Sequence, residues 1–122
     1  STYFPKDEMS DRTMRFFVSE IIREKIFLNY DREIPYACEV IVESYKEEPN
    51  IVRISALIIT ERETQKRILI GHQGSAIKRV GTAARKDMES FIGKKVFLET
   101  HVKVDEQWRN NERKLRNFGY WE

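Results

Sequence analysis

At 122 residues the chain is long enough for one domain with a real core and too short for two. It has no apolar run near the ~20 residues of a membrane helix. The net charge is only +2, but the six basic residues between Thr64 and Lys86 meet no acid, so that segment carries +6 and the remainder −4. A local basic patch of this kind is an electrostatic footprint for a polyanion. The one cysteine, Cys38, excludes an intramolecular disulfide and a multi-cysteine zinc site. Its alternating apolar surroundings read as a core position in a reducing setting. The opening residues carry no signal-peptide pattern and no initiator Met, the expectation for a processed chain or an excised fragment.

Residues 1–10 read as an extended, charged arm. Ser10 or Asp11 caps a first helix whose apolar positions include Phe17, Val18, Ile21, Ile22 and Leu28, with Phe17, Ile21 and Leu28 on one face. Pro35 ends the helical region and opens an alternating strand, with Cys38, Val40 and Val42 on one side and Glu39, Ile41 and Glu43 on the other. A turn at residues 47–50 leads to a second strand, with Val52, Ile54, Ala56 and Ile58 inward, so the two form an antiparallel hairpin. A short helix, ETQKRILI, precedes GHQG. A longer helix follows from Ser75 to about Ile92, with Ile77, Val80, Ala84, Met88 and Phe91 as its buried face and Gly93 as its cap. The last strand turns Val96, Leu98, Val102 and Val104 inward, and the tail reads as helical turns ending in aromatics. The order defines a two-layer α+β domain.

Gly71 and Gly74 break the basic helical pair, and glycine costs ~1 kcal/mol in a helix interior relative to alanine. A turn without a Cβ at Gly74 lets a phosphodiester backbone approach. The first amides of the Ser75 helix, left without intrahelical partners, form an anion site. Lys66, Arg67, Lys78 and Arg79 bracket it. A mononucleotide site fails on spacing: there is no G-x-x-x-x-G-K-[ST] run, and a helix rather than a strand precedes the glycines. G-x-x-G between two helices is the turn with which KH modules clamp single-stranded nucleotides.

The string IGHQGSAIKRVGTAARKDMESFIGKKVFLETHVKV, with the upstream SDRTMRFFVSEIIREKI and the closing WRNNERKLRNFGYW, resembles the C-terminal KH domain of the Era family of bacterial GTPases, over residues 4–121. The resemblance implies a type II KH fold: a mixed three-stranded sheet packed against helices, in the order α-β-β-α-(GxxG)-α-β plus a short C-terminal helix. Residues 1–12 would then be an arm or linker from a GTPase domain absent from this chain, 13–104 the KH RNA-binding domain and 105–122 a helical tail. It implies binding to the single-stranded 3′ end of small-subunit ribosomal RNA, with the small ribosomal subunit and the GTPase domain of the same parent as partners and no DNA. Cytoplasmic localisation, peripheral at the inner membrane by family resemblance alone, goes with it. GTP and Mg belong to the parent's other domain. This chain has no nucleotide loop, so no cofactor and no catalysis are expected of it.

The expected RNA contacts are Ile70, Gly71, His72, Gln73, Gly74, Ser75, Ile77, Lys78 and Arg79, with Lys66 and Arg67 from the preceding helix. Such turns usually carry a lysine between the glycines. Here His72 and Gln73 stand instead, so His72 is expected to aid phosphate contact chiefly when protonated. Bases would enter beside the second strand, where Ile58, Ile70, Ile77 and Val80 could floor a groove, although apolar helical stripes usually face inward. Gly81 reads as a close-packing position, His101 as a solvated residue, and the Trp108–Arg116 segment as tail packing. The alternative to RNA binding is a KH-like module that docks on ribosomal proteins or on a partner GTPase domain.

Overall fold

The structure is a computed structural model and describes residues 10–108; residues 1–9 of the predicted arm and 109–122 of the predicted tail lie outside the described residues. Helix α1 spans Asp11–Asn29. Ser10 caps it, its hydroxyl accepting from the Thr13 amide at 3.0 Å. The buried stripe is Met14, Val18, Ile22 and Ile26, spaced by four, and each such side chain contributes roughly 1.5–3 kcal/mol by burial. Phe17 half-joins this stripe against the Phe91 ring, 5.4 Å away. Leu28 departs from expectation: it is 67% exposed, because the four-residue stripe passes through Ile26 and leaves the next residues to solvent.

Pro35 also behaves differently. It lies inside a short helix, α2 (Glu33–Ala37), at a first-turn position where no amide donor is needed. Strand β1 (Cys38–Glu47) therefore starts only after that turn. It pairs antiparallel with β2 (Ile51–Thr60), and the register shifts between Val42 and Ser44. Glu43 is the extra residue of this bulge. Beyond it Tyr45, not Ser44, packs against the core. Arg15 of α1 holds the bulge, donating to the Val42 and Glu43 carbonyls at 3.1 and 3.3 Å.

Helix α3 (Glu63–Ile70), a 3-10 turn (His72–Gly74) and α4 (Ser75–Ile92) make the crossover to β3 (Lys95–Val104). β3 pairs parallel to β2, from Ile51↔Lys95 to Thr60↔Val104, giving the order β1-β2-β3. The fold is thus the expected two-layer α+β arrangement with a mixed three-stranded sheet. Its core lies between the sheet and α1, α3 and α4. Cys38 is buried within it, and burial pushes its thiol up to about 12.

Gly93 ends α4 in the left-handed conformation, with its amide on the Glu89 carbonyl at 2.8 Å. The Glu89 carboxylate then accepts from the Val96 amide at 2.9 Å and from Arg85 at 3.0 Å, joining the helix end to the start of β3. The Val96 amide first, and Arg85 after it, hold this carboxyl below its usual 4.5. A lowered folded value means that the contribution is whole above the unfolded value and is lost as pH falls through the folded one. Thermal melts should show the wild type losing stability between about pH 5 and about pH 3 more steeply than Glu89→Gln. Parallel curves would contradict this.

Candidate nucleic-acid interface

The candidate site is built on α3. Its start is fixed by Gln65, whose side-chain oxygen accepts from the Glu61 and Arg62 amides at 3.1 and 2.9 Å. Leu69, fully buried, anchors the last turn. The Leu69 carbonyl, one of the end carbonyls that a helix leaves without an intrahelical donor, accepts from the Tyr30 hydroxyl at 2.6 Å. Desolvation pushes that phenol up to about 12, so it stays a donor across the working pH range. Sequence reasoning missed Tyr30, because nothing in the local spacing announces a bond that spans 39 residues.

The two glycines of GHQG do different work. Gly71 (φ 77°, ψ −178°) closes α3 with its amide on the Arg67 carbonyl at 2.9 Å. A Cβ there would stand 2.6 Å from the Ala76 Cβ and 3.0 Å from the Ala76 nitrogen. Gly71 is therefore demanded by packing inside the turn. Gly74 (φ 78°, ψ 10°) is left-handed, yet a Cβ there would meet nothing within 4 Å. The space above it is open. Between them Gln73 (φ 53°, ψ 30°) is the one non-glycine residue with positive φ among the described residues. Strain of this kind concentrates at ligand clamps.

The donor set differs from expectation. The Gly74 amide bonds the Gly71 carbonyl at 3.2 Å, and the Ser75 amide bonds the His72 carbonyl. Ser75 therefore keeps its exposed hydroxyl for a ligand but not its N–H. The amides of His72 and Gln73, by contrast, make no hydrogen bond among the described residues. Both residues are exposed at the tip. The turn presents the backbone of its two variable residues, at the positive end of an 18-residue helix.

Lys78 and Arg79 are exposed one turn into α4, and with Ser75, Thr82, Ala83 and Lys86 they line a shallow groove on its outer face. On α3, Arg67 is exposed and Lys66 half-buried. None of these five cations has an ion-pair partner among the described residues. Other basic side chains are spent: Arg85 on Glu89, Lys25 on Asp87 and Lys94 on Glu47, at 3.0, 2.5 and 2.7 Å. Five unpaired cations thus lie on the two helices that GHQG joins.

The groove does not lie beside β2, which is central and paired on both edges. Ile58 and Val80 are fully buried core residues. The incompletely covered surface belongs to the edge strand. The helix-facing Val40, Val42, Val52, Ile54, Ala56 and Ile58 of β1 and β2 are at most 2% exposed, whereas Leu98, Thr100, Val102 and Val104 of β3 remain half-open. Ile70 and Ile77, both half-buried, flank the turn, and Ile77, like Leu98 and Val102 of β3, is partly buried against the core. The site is therefore a cationic, amide-tipped turn joining two helices, α3 and α4, that both pack against the half-open strand β3. Gly81 also departs from expectation: a Cβ there would meet nothing within 4 Å, so close packing is not its role. His101 lies exposed on the outer sheet face.

A helix pair broken by G-x-x-G over a mixed three-stranded sheet is the arrangement of a KH domain. A profile of the KH domain family matches residues 33–109, and the chain belongs to that family. Within it, the chain is 52% identical over 119 residues to the GTPase ERA-like, chloroplastic protein of Arabidopsis thaliana, covering 97% of this chain and 28% of that one. It is 49% identical over 120 residues to GTPase Era of Syntrophus aciditrophicus (strain SB), covering 97% and 39%. Among solved structures it is similar to Era in complex with MgGDPNP and nucleotides 1506–1542 of 16S ribosomal RNA. That likeness has a TM-score of 0.81 at 36% identity, over 98% of this chain and 41% of the other. The chain thus spans well under half the length of these relatives.

Proposed function

We propose that this chain is the RNA-binding domain of an Era-type GTPase and grips a single-stranded segment at the 3′ end of small-subunit ribosomal RNA during assembly of the small subunit. The carrying observation is the turn itself: two unbonded amides at an open Gly74, with five unpaired cations on the two helices it joins. The likeness to Era bound to 16S ribosomal RNA supplies the class of RNA. A phosphate seats on the His72 and Gln73 amides, and the Ser75 hydroxyl donates a further bond. Lys78 and Arg79 neutralise the strand on one side, Lys66 and Arg67 on the other. Gly71 shapes the turn, Gly74 admits the backbone, and Ile70 and Ile77 form the apolar lip over which bases pass. GTP and Mg belong to the nucleotide-binding part of such a GTPase, and no step here runs through them.

A panel of short single-stranded RNAs, including one from the 3′ end of small-subunit ribosomal RNA, tests this by fluorescence anisotropy. Affinity should fall with log salt at about −0.7 per phosphate neutralised, near −3.5 if all five cations engage, and Lys78→Ala should remove about one such increment. A chain that binds no RNA in the panel would leave protein docking as its function.

A further inference from the structure

Helix α3 has eight residues (Glu63–Ile70), and helices under about 12 residues are marginal on their own in water. Leu69 is its one buried residue. The Tyr30 hydroxyl, donating to the Leu69 carbonyl at 2.6 Å, ties the last turn of α3 to the end of α1. Tyr30 is itself well fixed. It follows directly on α1, whose Met14, Val18, Ile22 and Ile26 are buried, and it is partly buried against the same core. Desolvation raises its phenol and the Arg79 charge opposes that rise, so a cation of α4 lies close to the same hydroxyl.

The carbonyl that Tyr30 holds matters through its place in the helix. The Gly71 amide still bonds back four residues, to the Arg67 carbonyl at 2.9 Å. The next rungs of an α-helix would run from His72 to Ile68 and from Gln73 to Leu69. Neither forms: the His72 and Gln73 amides make no hydrogen bond among the described residues. Tyr30 thus supplies the donor that Gln73 would bring to the Leu69 carbonyl in a longer helix. Without the hydroxyl that part-buried carbonyl lacks a partner, and an unpaired acceptor favours any arrangement that brings an amide to it.

We infer that Tyr30 is a positioning residue for RNA: by satisfying the Leu69 carbonyl it keeps the Gln73 amide, and with it the His72 amide, available to a phosphate. This rests on the RNA-binding reading above. Tyr30 acts through the end of α3 rather than on the strand.

The test compares Tyr30→Phe with Ser10→Ala, which removes the cap at the other end of α1. Each should lower the melting temperature by about 4 °C. At a temperature where both are folded, Tyr30→Phe should bind the tightest RNA of the panel about fivefold less well, while Ser10→Ala binds like the wild type. The salt slope should not change, because every cation remains. In the free 15N-labelled chain, relaxation dispersion should appear at His72 and Gln73 in Tyr30→Phe, and in neither the wild type nor Ser10→Ala. Wild-type affinity in Tyr30→Phe would overturn the inference. So would an equal loss in Ser10→Ala, a shallower salt slope, or a flat dispersion profile at the turn. If the wild type itself binds no RNA, the proposed function fails, and the dispersion alone decides whether Tyr30 holds the turn.

Discussion

Gly74→Asp should leave the domain folded and reduce its affinity for single-stranded RNA at least a hundredfold. The two halves of this expectation have separate causes. Gly74 is left-handed (φ 78°, ψ 10°), a conformation that aspartate visits more readily than most residues, and its Cβ has open space. Position 74 also caps the N-terminus of α4, where a carboxylate is favoured by the helix dipole. The melting temperature should therefore move by no more than a few degrees. The same carboxylate would stand where the phosphate must sit, repelling it and competing for the His72 and Gln73 amides. Gly74→Asn, equal in shape but neutral, should retain binding within about tenfold, isolating charge from bulk. Anisotropy titrations beside thermal melts read both quantities; full affinity in the folded aspartate variant would place the RNA elsewhere.

Gly71→Ala should do the reverse and strike the fold, at about 3 kcal/mol. At φ 77° and ψ −178° the backbone occupies a region nearly closed to residues with a Cβ. The added methyl would stand 2.6 Å from the Ala76 Cβ, in the first turn of α4, with little freedom to retreat. Urea denaturation should show its midpoint falling by about 1.5 M, against well under 1 M for Gly74→Ala, which meets no neighbour. Equal losses at the two glycines would contradict the division of labour drawn between them. GHQG is thus an internally packed glycine and one with open space beside it, joined by two exposed residues whose amides make no hydrogen bond among the described residues.

Much of this was legible in residue order. The β-branched run Ile51–Thr60 and the helical spacing of Val80, Ala84 and Met88 lie in segments where one periodicity dominates, and each buries as that periodicity requires. The G-x-x-G turn with its cations was legible because the charge pattern and the glycines fall in one contiguous stretch. What escaped depends on partners distant in sequence. The bulge at Glu43 is held by Arg15, 28 residues away, and re-aims Tyr45 in a way that strict alternation misses. Tyr30 reaches the Leu69 carbonyl across 39 residues. The parallel pairing of β3 came from family resemblance, not from spacing, and it is what makes β2 central and leaves β3 as a half-open edge strand. Pro35 was misplaced because proline serves a helix's first turn as well as its end. The Ser75 amide looked free because a helix start normally leaves it so; the 3-10 turn takes it.

The central claim is that RNA is held at the GHQG turn and the two helices it joins. Titrating the 15N-labelled chain with a short single-stranded RNA from the 3′ end of small-subunit ribosomal RNA tests this residue by residue. The backbone amides of His72, Gln73 and Gly74 should show the largest shifts. Ile77 and Lys78 should follow, and Arg53, Phe97 and His101 on the outer sheet face should stay still. Saturable shifts confined to that outer face, with the turn unmoved, would contradict it.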